Sequence, residues 1–179
     1  MNAIRHLAIG FGLVTLVVGF ALIQGGILQD GYLAAYARQF QGMASGFQLN
    51  FGAFARAPVI VQIHAAAAIS ALVLGLIQML APKGTIPHRT LGYVWALLMV
   101  TTAATAIFIR QINPGGFSFI HIFVPLTFFG LFGVITHARA LRADKHRNAV
   151  FGLFFGALIV PGLFAFMPGR LMFQMFFGG

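Results

Sequence analysis

Residues 58–81 read PVIVQIHAAAAISALVLGLIQMLA, a stretch without one Asp, Glu, Lys or Arg. A helix rising 1.5 Å per residue crosses about 30 Å of hydrocarbon with about 20 apolar residues, so this segment is long enough to span. Four more stretches have matching length and apolar content: 7–26, 90–110, 118–138 and 148–167. None shows the ten-residue alternating pattern of a membrane barrel. In lipid each backbone polar group has to be satisfied within its own segment. The sequence therefore predicts an all-α, polytopic membrane helical bundle of five transmembrane helices.

Composition agrees. Of 179 residues, 60% are hydrophobic and 7% charged, against about a quarter charged in soluble domains. Eleven Lys and Arg face only two acidic residues, Asp30 and Asp144, and the cations sit singly between apolar runs. That placement reads as topology signals and contacts to anionic membrane lipid, not as a nucleic-acid surface. The lack of cysteine excludes disulfides, thiolate zinc sites, iron–sulfur clusters and thiol nucleophiles. Two carboxylates near span ends supply neither a glycosidase pair nor a two-metal hydrolytic site. Ser45, Ser70 and Ser118 have no base and carboxylate to activate them, so no catalytic residue is assigned.

The first apolar run exceeds a signal-peptide core of about 7–15 residues and reads as a retained anchor, with cleavage conceivable at Ala21–Gly26. With the N-terminus inside, Arg5, Lys83, Arg89, Arg139, Arg142, Lys145 and Arg147 lie on the inner face. Arg38, Arg56, Arg110 and Arg170 lie outside. The positive-inside rule then favours N-in, C-out, in a bacterial inner membrane. In the connector 25–57, Tyr32, Tyr36, Phe40, Met43 and Phe47 recur at helical spacing, as in an amphipathic helix resting on the interface or a lid over the spans. The organisation is thus 1–57 as first span and connector, 58–172 as a four-helix membrane bundle, and 173–179 as an aromatic interfacial tail.

Ionisable side chains at membrane depth are costly unless paired, so they mark candidate sites. His64 stands on a stripe with Ala68, Ala71, Gly75 and Gln78. Small residues there leave room for a flat macrocycle or for another helix. His121 opens the fourth span from the same side, and two imidazoles at similar depth are what axial ligation of haem b iron requires. The alternative is a buried imidazole bonded to a carbonyl or to Gln62. At the inner face, His88, Arg89, His146 and Arg147 mark two span starts whose dipoles suit an anion: lipid phosphate, haem propionate or a quinone headgroup. The alternative there is an ordinary basic collar. His137 shares a face with Gly130 and Gly133, where a second haem is conceivable. It lies sixteen residues from His121, about 160° around a continuous α-helix, which disfavours two haems on one face. The third span aligns His88, Gly92, Trp95, Met99, Thr102, Ala106 and Arg110 as a lined path or a bundle-facing side. Gly152 and Gly156 form a small-residue step, and Pro161-Gly162 predicts a kink.

Several of these pieces together resemble one family: Ile63-His64-Ala65, Leu74-Gly75 with Gln78, Lys83-Gly84-Thr85, and His88-Arg89 with Leu91-Gly92. Ile120-His121, Ala138-Arg139, His146-Arg147 and Pro168-Gly169-Arg170 continue the pattern. Residues 58–172 resemble the prokaryotic predicted membrane proteins known as domain of unknown function 2306. The resemblance implies a polytopic helical bundle with histidines at span ends, and no established activity. The family often carries Met soon after the last His-Arg. Here Asn148-Ala149-Val150 follows, so a role for that methionine does not transfer.

The expected function is a haem- or quinone-associated electron-transfer or accessory subunit. The rival is a non-catalytic structural or assembly subunit docked on other membrane-protein subunits. A transporter lacks the paired interrupted spans that would motivate it.

Overall fold

A computed structural model describes residues 46–47, 49–110, 116–167 and 170–177. The first expected span and most of the connector lie outside them. The chain divides into two units, 1–51 with 166–179, and 52–165. Among the described residues, a short helix α1 (Phe51–Arg56), in the second unit from Gly52 on, leads into α2 (Val59–Leu80) and α3 (Ile86–Ala106). A 3-10 turn at Phe119–Ile122 enters α4 (Phe123–Arg139). The last long helix runs as α5 (Ala143–Phe154), a π segment (Phe155–Ile159) and α6 (Val160–Ala165). In the other unit, α7 (Leu171–Phe177) forms where a tail was expected. Its Met175 carbonyl accepts from Asn50 N–H at 2.7 Å, and the Phe176 ring packs in tilted contact with Phe47 and Phe166.

Among the described residues, three helices are long and apolar enough to cross a membrane: Val59–Leu80, Ile120–Arg139 and Ala143–Ala165. Helix α3, at 21 residues, is also long enough, but His88, Arg89 and its threonines dilute its apolar content. The last span starts five residues before the expected 148, because Asp144 lies in its first turn and an acid favours a helix N-terminus.

Helices α2 and α3 form an antiparallel hairpin around Lys83. Thr85 caps α3 by accepting from His88 N–H, with Pro87 in the first turn; a proline there lacks only an N–H that has no helical partner anyway. Three contacts fix the register: Gln78 with His88, Trp95 with Ala71, and His64 with Thr102. Lipid tails are as apolar as leucine, so helices in a membrane cohere by close packing and polar bonds. Both occur at Gly75, where an added Cβ would lie 2.7 Å from Phe154 Cε2 and 2.8 Å from Trp95 Nε1. The Trp95 indole N–H donates to the Ala71 carbonyl at 2.9 Å, and Ala71 is fully buried. The stripe of small residues is therefore filled here by neighbouring helices. Trp95, Met99, Leu131, Val134, Leu153, Phe154 and Leu158 complete the core.

Helix α2 packs on α3, α3 on α4, α4 on α5, and the π segment back on α2, which sets α2 and α4 on a diagonal of a four-membered ring. Large apolar side chains such as Val73, Leu76, Leu97, Phe129 and Phe132 point outward and are exposed, as a lipid-facing surface requires. The expected kink is a π segment ending just before Pro161. Proline removes an N–H and its ring crowds the carbonyl four residues back, and a π turn absorbs both. Gly130 admits the Leu153 side chain, whereas among the described residues nothing approaches within 4 Å of a Cβ at Gly152 or Gly156, so the expected step packs against none of them.

Overpacking a tight core site costs about 1–3 kcal/mol, so Gly75→Ala should lower thermal stability in detergent by that order, while Gly152→Ala should change it little. Equal effects of the two substitutions would contradict the packing described.

Candidate functional site

His64 lies in the second turn of α2. Its Nδ1 is 3.0 Å from the Thr102 carbonyl and 3.1 Å from Thr105 Oγ1. The Thr105 hydroxyl proton is already directed at the Thr101 and Thr102 carbonyls, at 2.7 and 3.0 Å, so both neighbours of Nδ1 are acceptors. Nδ1 must therefore carry the proton and donate, which leaves a lone pair on Nε2. Gln62, the alternative partner, instead donates to the Ala55 and Ala57 carbonyls that end α1.

His121 occupies the third position of the 3-10 turn. Its Nδ1 accepts from Ser118 N–H at 3.1 Å, closing a capping box, with the Ser118 carbonyl also 3.1 Å and Oγ 3.3 Å away. Nε2 is buried without a hydrogen-bond partner among the described residues. Phe117 meets the His121 ring edge-on at 4.9 Å, and the Arg110 guanidinium lies 4.7 Å over Phe117. His64 and His121 thus belong to the same end of the unit, on the diagonal helices. His121 lies in a 3-10 segment whose larger turn per residue adds only about 40° before α4 begins, so His121 and His137 still belong to nearly opposite sides.

The other end brings together different residues. His146 Nδ1–H donates to the Val134 carbonyl at 2.9 Å, tying the start of α5 to α4. Gln78 Nε2 donates to the His88 carbonyl at 3.0 Å, and Lys83 Nζ donates to the Met79 and Ala81 carbonyls at 2.6 Å, closing the end of α2. His88, in the turn before the apolar part of α3, has its imidazole held below the ordinary histidine value by burial, then by the positive charges of Lys83 and His146. Arg89 and Arg147 are exposed, the latter 5.7 Å over the Phe151 ring. His137 closes α4, where Leu141, in a left-handed conformation, lets Arg142 N–H bond to the His137 carbonyl at 3.0 Å. No group of three or more potential metal ligands of the His and carboxylate kind occurs among the described residues.

The sequence reading missed Thr105, Arg110 as a neighbour of His121, and Gln78 as a partner of His88. Hairpin register was the available signal: folding the chain about Lys83 sets 64 opposite 102 and 78 opposite 88.

The model of a family described as predicted membrane protein (DUF2306) matches residues 61–176, and the chain belongs to that family. No curated protein and no solved structure matches it.

With its folded value lowered, His88 opposes protonation, and the fold loses stability as pH falls through the ordinary value of about 6.5. Ring-proton NMR titration should place the resonance that disappears in His88→Asn below that of exposed histidines. A His88 that titrates at or above the ordinary value would refute the environment described.

Proposed function

We propose that this family member holds a b-type haem between His64 and His121 and serves as an electron-transfer or accessory subunit of a bacterial inner membrane. In this reading it spans five times, N-terminus inside. The observation that carries the proposal is the His64 tautomer. Metal-bound histidines commonly donate the second ring N–H to a carbonyl, which orients the ring and raises its basicity, and His64 makes that bond to Thr102. His121 would supply the second imidazole: its Nδ1 would exchange the bond it accepts from Ser118 N–H for one donated to the Ser118 carbonyl, which would leave the buried Nε2 lone pair for iron. Arg110, which meets no carboxylate among the described residues, supplies a cation beside His121 for a haem propionate. Arg89, Arg147 and the other cations of the opposite end then act as an anionic-lipid collar, with His137 and His146 in structural positions.

A second reading has its own support. The same Nδ1 bond fastens α2 to α3 with no ligand, as a structural or assembly subunit would need.

The two readings separate on colour. Purified in mild detergent, the haem protein should show a Soret band that shifts on dithionite reduction. His64→Ala should abolish or strongly reduce it, and His121→Ala should convert the spectrum from six- to five-coordinate. A colourless, monodisperse preparation from haem-sufficient cells would leave the structural reading standing.

A further inference from the structure

At the end of the unit opposite His64, two buried polar atoms lack a hydrogen-bond partner among the described residues: Gln78 Oε1 and His88 Nδ1. Gln78 is 9% exposed. Its amide orientation is fixed, because the His88 carbonyl 3.0 Å away can only accept. The NH2 faces that carbonyl, and Oε1 is left as a buried acceptor that only a donor can satisfy. A cationic donor is disfavoured, since positive charge from Lys83 and His146 already acts at His88. His88 is correspondingly neutral, with one ring nitrogen protonated.

One kind of group suits both atoms, which belong to side chains of two residues already joined by the Gln78–His88 bond. A hydroxyl donates its proton to Gln78 Oε1 and accepts, on oxygen, from Nδ1–H of the neutral imidazole. We propose that Gln78 and His88 form a binding site for the hydroxyl of a neutral or anionic membrane amphiphile. The site lies where α2 ends and α3 begins, at the boundary of an apolar stretch, a depth reached by a hydroquinone headgroup or by the glycerol of phosphatidylglycerol. It is about 21 Å along α2 from His64, by fourteen residues at 1.5 Å each, and does not depend on haem.

Trp95, the chain's single tryptophan, is seven residues from His88, about 10 Å along α3, and reports on the site. The full chain in phosphatidylcholine nanodiscs is titrated with duroquinol and read by quenching of Trp95. In mixed nanodiscs, retained phosphatidylglycerol is read by native mass spectrometry. Saturable binding of either probe is expected, about tenfold weaker in both Gln78→Leu and His88→Ala and unchanged in Gly152→Ala, where an added methyl meets nothing among the described residues. The probe that binds identifies the source of the hydroxyl. His88→Ala removes no hydrogen bond of the fold, because the backbone N–H and carbonyl keep Thr85 and Gln78. Binding of neither probe, or binding indifferent to both substitutions, overturns the proposal and leaves water as the partner of these atoms.

Discussion

The bundle depends on the close approach at Gly75. In lipid, burying a leucine against another helix gains little over burying it against acyl chains, so the helices need short contacts and polar bonds to associate. At Gly75 the α2 backbone comes near enough to Trp95 and Phe154 to exclude a methyl group. The indole N–H then reaches the Ala71 carbonyl one turn away. This contact joins α2, α3 and α5, and it fixes the hairpin register. Once 71 lies opposite 95, residue 64 is carried to 102 and residue 78 to 88. Both candidate sites inherit their geometry from that one packing decision.

The histidines share a device. His64 and His146 each donate Nδ1–H to a carbonyl of a neighbouring helix. The bond fastens two helices and at the same time sets which nitrogen keeps its lone pair. Structural and ligating roles therefore use different nitrogens of one ring, and a strong structural bond at Nδ1 makes Nε2 better prepared for a metal.

Much of this was legible in the sequence. The uninterrupted run 58–81 and its successors gave all-α spans, and the stripe Ala71-Gly75-Gln78 correctly marked the inward face of α2. The stripe on α3 was legible too, although as core: Trp95 and Met99 are buried side by side in the packed centre. What escaped was local. The 3-10 entry before α4 rotates His121 out of α-helical phase, and hydropathy does not distinguish a 3-10 turn from an α turn. The early start of α5 depends on charges at a helix end, which a scan for apolar residues discards. Gly152 and Gly156 look like a packing motif, yet spacing says nothing about which side of a helix meets protein and which meets lipid.

The distribution of polar groups bears on what the bundle can do. His64, Thr102, Thr105 and Thr127 are drawn into one half, and Gln78, His88 and His146 into the other. Between them lie Ala71, Trp95, Met99, Leu131, Phe154 and Leu158 in a close-packed apolar layer, and Met99 is 1% exposed. An ion crossing such a layer would lose its hydration with nothing to replace it, so the row on α3 that first reads as a lined path is better understood as a seal. A sealed centre with hydrogen-bonding groups at both ends suits a protein that holds something at each membrane face and passes no solute between them.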